Sequence, residues 1–491
     1  MARIGLEKIE KYLFDSANFL RGHIDAGDYK QFIFPLLFFK RVCDVYDEEY
    51  AKNEAEFGVD FEDLHMFNVP KEHHWNVVRE KSEDVGQALQ TAMREIEKAN
   101  PGKLEGIFGD AQWTNKERLP DRLLKDLLEH FSMYTLSIEN VPDDELGNAY
   151  EYLIKEFADD SGHTAQEFYS NRTLVKLMAE MLDAKPGDSI YDPTCGTGGM
   201  LLITATHLKE KGEEYRSLKL YGQEVNLITS SIARMNMFLH GIEDFNVYRG
   251  DVLADPGFMG NDELKTFDIV LANPPYSIKR WDRDKFMNDP YGRNMYGVPP
   301  QGCADYAFIQ HIIKSMNAEH GKCAILLPHG VLFRDSEQDI RKKMIEDDIV
   351  ECVLGLGPNL FYNSPMEACV LICNMNKPKE RKNKILFINA VNEVRKEKTM
   401  SYMDKHHRDK IEDAYIRFED IENFCKVEAI NTILDKNKGN LNVQLYARPK
   451  EENQDEISLE EAINNWEISS KELQDSFKKM IKSLEEVKIH G

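Results

Sequence analysis

Asn273-Pro274-Pro275-Tyr276 stands directly after the apolar run 268–272, and its residue types suit one kind of chemistry. Two prolines fix the backbone where a strand would leave its sheet, so the Asn273 amide and the Pro274 carbonyl are held rigidly. Both present acceptor oxygens. A planar amino group that donates its two hydrogens to them has its nitrogen lone pair drawn out of conjugation and aimed at an electrophilic methyl. The reaction is then an in-line displacement in which positioning supplies most of the rate. No general base is needed before attack. Tyr276 offers an aromatic face for a base taken out of a nucleic-acid stack. A strand followed by a turn accounts for Asn-Pro alone, but seldom for the whole tetrapeptide in this setting.

Such chemistry needs a donor held close by. Asp192-Pro193-Thr194-Cys195-Gly196-Thr197-Gly198-Gly199 lies between an apolar strand pattern and a helix pattern that begins near Met200. Glycines there let the chain turn sharply and approach a ligand beside a helix N-terminus that favours negative charge. A phosphate loop would continue with Gly-Lys-Ser/Thr, which is absent, so the favoured anion is a cofactor carboxylate. Taken alone, the segment fits a purely structural turn equally well. Glu224, at the end of the next strand pattern, is placed to accept both hydroxyls of a ribose. Asp251, after a third, is placed to accept a hydrogen bond from a cofactor's adenine amino group. Each carboxylate alone is an ordinary surface residue. Their recurrence at three successive strand ends is harder to dismiss.

The elements that would position these groups are short β-rich runs alternating with helical patterns between about 160 and 390, the mark of a parallel sheet covered on both faces. Strands are expected at 189–191, 219–223, 245–249, 268–272 and 322–327, with helices at 200–211, 227–240 and 305–317. Two more strands, 349–354 and 368–373, are joined by a Gly/Pro/Asn loop too short for a helix, which permits an antiparallel pair at the sheet edge. The expected fold is α/β and Rossmann-like: a mostly parallel seven-stranded sheet with an antiparallel edge strand. It spans 151–395, between an N-terminal helical domain (1–150) and a C-terminal helical region (396–491).

In the first of these, Ile9, Leu13, Ala17, Leu20 and Ile24 recur at helical steps, and no catalytic pattern is visible. The apolar run Ile33 to Phe39 contains Pro35 and is far shorter than the roughly 20 residues that span a bilayer, so it reads as a buried helix. In the last region Leu473, Phe477, Met480, Leu484 and Val487 form a two-heptad seam, which needs either an intramolecular dock or a partner helix. The eight cysteines lack paired spacing, and no export signal opens the chain; reduced thiols, a cytoplasmic setting and no metal are expected. Sixty-two basic against 86 acidic residues give a net charge of -24, the opposite of what a protein that grips DNA by itself requires. Only 277–300 is locally basic, with Lys279, Arg280, Arg283, Lys285 and Arg293; it is either a solvated loop or a phosphate contact.

Asp192 to Gly199 together with Asn273-Pro274-Pro275-Tyr276 resembles the amino methyltransferases. The wider text resembles the modification subunit of type I restriction-modification systems, through Asp305-Tyr306-Ala307-Phe308, the segment 321–334 (GKCAILLPHGVLFR), Leu20-Arg21-Gly22 and 36–41. The resemblance implies transfer of a methyl group from S-adenosylmethionine to the N6 amino group of adenine in DNA. Gly196, Thr197, Gly198, Gly199 and Glu224 would hold the methionine and ribose parts of the cofactor, and Asp251 its adenine. Asn273 to Tyr276 would hold the target adenine. A further cofactor segment of the family, roughly Gln-Phe/Tyr-Tyr/Phe-Thr-Pro, matches Glu167-Phe168-Tyr169-Ser170-Asn171-Arg172, where Asn171 replaces the proline. The resemblance also implies a separate specificity subunit, two modification subunits to each, and a restriction subunit. That agrees with the acidic charge and with the lack of a basic or β-rich module to read a groove. The same acceptor chemistry suits a glutamine side-chain amide or an RNA base amino group, and a degenerate assembly scaffold is the non-enzymatic alternative.

Overall fold

The computed structural model describes residues 3–160, 171–360, 367–397 and 400–448, and in the carboxyl-terminal segment 463–464, 466–471 and 473–478. Met1–Ala447 forms one compact unit and Arg448–Gly491 a second. In the second, the described residues from 463 on are helical, with Leu473 and Phe477 exposed; Met480, Leu484 and Val487 of the expected seam lie outside the described residues.

The first unit is built on a nine-stranded sheet. Its strands are β1 (Ser189–Asp192), β2 (Lys219–Glu224), β3 (Phe245–Arg249), β4 (Ile269–Ala272), β5 (Lys322–Pro328), β6 (Val350–Leu356), β7 (Ala368–Asn374), β8 (Lys384–Ala390) and β9 (Cys425–Ala429). They lie in the order β9-β8-β6-β7-β5-β4-β1-β2-β3. From β3 to β5 every pairing is parallel. Such strands are covered on both faces, which is why Ile269-Val270-Leu271-Ala272 is apolar throughout and wholly buried. Alternate residues serve the two layers: Ile269 and Leu271 join Ala324 and Leu326 on one face, while Val270 and Ala272 join Cys323, Ile325 and Leu327 on the other.

The expected α/β architecture is present, with two corrections. The antiparallel strand β7 is not at an edge but lies between β5 and β6, bonded to both. The sheet also continues through β8, parallel to β6, and β9, antiparallel to β8. The boundary expected near 395 therefore falls inside the sheet-bearing unit. β9 escapes a pattern search because it is a half-exposed edge strand, Cys-Lys-Val-Glu-Ala, in a polar stretch. All eight cysteines are buried and unbridged.

The amino-terminal residues form helices around a second core. The helix Lys30–Phe57 buries Ile33, Phe34, Leu36, Leu37, Phe38 and Phe39 within it. This core is shared with the sheet layer, because Ile232, Met235, Phe238 and Leu239 of the helix Leu227–Leu239 belong to it. Buried Arg41 pins the connection, donating to the carbonyls of Leu136 (2.5 Å) and Val141 (2.8 Å) and pairing with Asp143 (2.6 Å) at the start of the helix Asp143–Asp160. That helix in turn sends the Tyr150 hydroxyl to the Ile232 carbonyl at 3.3 Å. Gly147 sits so close to His240 that a Cβ there would meet the imidazole ring at 2.5 Å.

Gly147→Val should therefore overpack this seam and cost about 1–3 kcal/mol. Urea unfolding is expected to give a lower midpoint at unchanged slope. An unshifted midpoint would mean that the helix is not seated as described.

Candidate cofactor and amino-group site

Parallel register places the carboxyl ends of β3, β2, β1 and β4 along one rim, because Asp192 pairs with Gly222, Glu224 with Arg249 and Tyr191 with Val270. A cavity of about 460 Å³ opens there. Asp192, Gly196, Thr197, Gly199, Glu224, Asp251, Asn273 and Pro275 all line it, so groups from four chain segments meet as the sequence pattern requires.

The turn after β1 is held by its own backbone. Cys195 N–H donates to the Gln223 carbonyl (2.9 Å) and Gly198 N–H to the Cys195 carbonyl (2.8 Å). Gly196 and Gly198 have φ of +53° and +80°, and Gly198 caps the helix Gly199–Glu210. A side chain at either position would strain the turn. Glu224 closes the loop from the neighbouring strand: one carboxylate oxygen accepts from Gly196 N–H (3.0 Å), the other from Asn226 N–H (2.8 Å). Asp192 is buried and accepts from Thr194 N–H at 3.0 Å. Burial, with Glu224 close by, pushes its carboxyl up to about 8. Buried Thr194 Oγ1, on the same cavity wall, has no hydrogen-bond partner among the described residues. A glycine cradle, two carboxylates and an orphaned hydroxyl fit a ligand that carries hydroxyls and positive charge, which S-adenosylmethionine does.

Asp251 stands exposed at the rim, its Oδ1 turned back to Leu253 N–H (2.9 Å). Two buried residues shape this corner. Gln223 donates to the carbonyls of Gly250 (3.1 Å) and Asp255 (2.8 Å) and accepts from Gly257 N–H (3.0 Å). Arg293 donates to the carbonyls of Val252 (2.8 Å) and Leu253 (2.9 Å) while paired with Asp289. Arg293 is thus no surface cation of a basic loop. Neither residue is marked by a motif, since both act through backbone carbonyls distant in sequence.

Of the segment matched by resemblance, Glu167, Phe168, Tyr169 and Ser170 lie outside the described residues. Asn171 is fully buried and does not line the cavity. It caps the helix Arg172–Leu182, accepting from Thr173 N–H (3.0 Å), and donates to the carbonyls of Leu360 (3.2 Å) and Ser401 (2.8 Å). A proline could do none of this, so the asparagine ties three segments together here. Arg172 lines the cavity, forms an ion pair with Glu151 and donates to the Gly199 carbonyl at 3.4 Å. Asn236 links Glu151 (2.8 Å) to the Thr197 carbonyl (3.0 Å). Lys30, Phe34, Ile154 and Phe157 supply a further wall from the amino-terminal helices, a region in which the sequence shows no site pattern.

Asn273 and Pro275 face the cavity. Pro274 is buried, and Tyr276 is half-buried against the sheet core instead of lining the cavity. Lys279 and Arg280 follow as exposed cations. Arg283 donates to the Pro299 carbonyl at 2.8 Å, and Lys285 to that of Ala254, so both also brace the loop.

A Rossmann-like parallel sheet with an antiparallel strand inserted after β5, and a ligand cavity at the carboxyl ends of its first strands, is the methyltransferase fold. Comparison with known proteins extends this. The family model for N-6 DNA Methylase matches residues 141–455, and the HsdM N-terminal domain model matches residues 9–131. The chain belongs to the N-6 DNA methylase family. It is 32% identical to the type I restriction enzyme MjaVII methylase subunit of Methanocaldococcus jannaschii, over 91% of this chain and 79% of that one. To the type I restriction enzyme MpnII methylase subunit of Mycoplasma pneumoniae it is 28% identical, over 97% and 96%. The crystal structure of a type I restriction-modification system methyltransferase subunit from Streptococcus thermophilus superposes with a TM-score of 0.79 at 29% identity, covering 90% of this chain and all of that one.

The raised carboxyl of Asp192 gives a pH dependence with a definite sign. A cationic ligand favours the ionised form, so binding below pH 8 must release a proton from Asp192. Affinity for S-adenosylmethionine, measured by calorimetry from pH 6.5 to 8, should rise by up to about tenfold per pH unit more than in Asp192→Asn. Parallel pH profiles for the two proteins would show that Asp192 does not titrate against the ligand.

Proposed function

We propose that the chain is the modification subunit of a type I restriction-modification system, an adenine-specific DNA methyltransferase that works with a separate specificity subunit. The observation that carries this is the convergence of Asn273 and Pro275 with the glycine loop, Glu224 and Asp251 on one cavity. When bound, S-adenosylmethionine supplies a methyl group on a sulfonium centre, already activated for displacement. Gly196, Thr197, Gly198, Gly199, Asp192 and Glu224 would hold its methionine and ribose parts, with Asp251 at its adenine and Arg172 on the adjoining wall. Glu167, Phe168, Tyr169 and Ser170 belong to the same proposed cofactor set. Asn171 acts behind that wall by fixing the start of the helix that carries Arg172.

The target adenine enters beside Asn273, where the side-chain oxygen of Asn273 and the carbonyl of Pro274 accept the two N6 hydrogens. The nitrogen lone pair leaves the ring's conjugation and points at the methyl carbon. With the cofactor bound, its methyl would pass from sulfur to this nitrogen, the sulfur leaving as a neutral thioether and the extra proton being lost from nitrogen afterwards. Pro275 stiffens the loop, and Tyr276, packed on the sheet core, holds it to the sheet. Lys279 and Arg280, both exposed, would meet phosphates beside an extruded base.

A net charge of -24 leaves little general attraction for DNA, which supports delegation of sequence recognition to a partner. The type I relatives are named as subunits of restriction enzymes, which supports a multisubunit assembly; two modification subunits per specificity subunit and an associated restriction subunit are part of the proposal. No helix among the described residues is long and apolar enough to cross a membrane. The decisive assay incubates the chain with labelled S-adenosylmethionine and DNA, with and without a specificity subunit from the same source. Label is expected in adenine, and only with the partner. In Asn273→Ala, transfer should fall at least about 100-fold while cofactor affinity stays within about threefold. Label in protein or RNA, or an undiminished rate in Asn273→Ala, would contradict the proposal.

A further inference from the structure

Two segments that mark the family in the sequence, Asp305-Tyr306-Ala307-Phe308 and 321–334, have no part in the chemistry described so far. The fold brings them together behind the Asn-Pro-Pro-Tyr loop. Asp305, buried in the first turn of the helix Asp305–Lys314, accepts a hydrogen bond from Ser277 N–H at 2.7 Å. Its other carboxylate oxygen accepts from Arg334, whose guanidinium also donates to Ser277 Oγ (3.4 Å) and, through Nε, to fully buried Glu337 (2.7 Å). Arg334 is fixed from behind, because buried Arg341 donates to its carbonyl at 3.1 Å and to that of Val331 at 3.2 Å. The Val331 carbonyl also accepts from the Tyr306 hydroxyl at 2.9 Å. Cys303 completes the cluster, its Sγ 3.1 Å from Asp305. Cys303, Asp305 and Glu337 together have the grouping of a cation site, and the Arg334 guanidinium pairs with both carboxylates of the group.

The load on this cluster lies at Ser277. It is a non-glycine residue with φ of +51°, directly after Tyr276, in a conformation that L-residues adopt only when their surroundings impose it. Asp305 and Arg334 grip both its backbone and its hydroxyl. Ala304 N–H donates to the Ile278 carbonyl at 3.2 Å, so the next residue is tied to the same helix. The loop 273–276 is therefore anchored at one end by β4 and at the other by this clamp.

We infer that Asp305 and Arg334 are positioning residues for methyl transfer: their clamp on Ser277 sets the direction in which Asn273 and Pro274 present their acceptor oxygens. The inference rests on the assignment of those two oxygens to the amino group. Neither Asp305 nor Arg334 lines the cavity. Loss of the clamp should displace the acceptors without altering the cofactor's contacts. A displacement of about 1 Å at reacting atoms can cost about 100-fold in rate.

The test uses the full chain with its specificity partner and measures kcat, the KM for DNA, the cofactor Kd and the thermal midpoint. Asp305→Ala should lower kcat about 100-fold, with cofactor Kd within about twofold. Asp305→Asn keeps an oxygen for Ser277 N–H but loses the ion pair, and should restore about tenfold of that loss. Arg334→Lys, which keeps the charge and loses the two-pronged grip, should fall between wild type and Asp305→Ala. A kcat within twofold of wild type in Asp305→Ala overturns the inference, provided Asn273→Ala is inactive. If Asn273→Ala is also fully active, the assignment of the acceptor pair itself has failed. A collapse of cofactor affinity and thermal midpoint together with kcat, in both Asp305→Ala and Asp305→Asn, would make the cluster a folding element and equally overturn it.

Discussion

The backbone ladders joining β3, β2, β1 and β4 fix where each of the proposed functional groups stands. Parallel strands in register end on a common rim, and the residue at or just beyond the end of each strand is delivered there without any contact between side chains. Asp192, Glu224, Asp251 and Asn273 are such residues. A slip of one residue in any pairing would turn that strand's apolar set from one layer to the other. Ile269 to Ala272, buried on both faces between β1 and β5, leaves least room for that error. Of these four strands, the one that carries the acceptor pair is the most completely buried.

Around this frame the polar groups are mostly spent on holding backbone. Gln223, Arg293, Asn171, Asn236 and Arg341 are buried, and each donates to backbone carbonyls of other segments. A buried carbonyl left unmatched costs about 1–3 kcal/mol, so these bonds decide which loop conformation survives. The same economy governs charge: Arg172 meets Glu151, and Arg334 meets Asp305 and Glu337. Asp192 is the exception. Its carboxyl is raised by burial next to Glu224, a state that a cationic ligand would relieve.

Much of this was legible in the residues alone. The first five strands follow from short β-rich runs bounded by turn residues, and the structure sets all five within one residue at either end. β8 and β9 were not legible as part of the sheet, because the first follows a Lys-rich turn and the second is half-exposed. The motifs identified groups that face the cavity. They did not identify those that steer it, since a donor to a carbonyl some forty residues distant, as Arg293 is to Val252, leaves no spacing rule. Asn171 shows the converse, where departure from a family pattern is recovered by bonds to Leu360 and Ser401 that appear only once the chain is folded. The wall formed by Lys30, Phe34, Ile154 and Phe157 was likewise invisible, because packing residues and site residues are of the same types in an apolar helix.

The most direct test of the acceptor pair is a crystal structure of the full chain with its specificity partner, target DNA and an unreactive cofactor analogue bearing an amine in place of the sulfonium. The account predicts the adenine out of the helix, with its N6 within about 3 Å of both the Asn273 side-chain oxygen and the Pro274 carbonyl, facing the analogue. An adenine amino group held by other acceptors, or an analogue bound away from the rim formed by β1, β2 and β4, would contradict it.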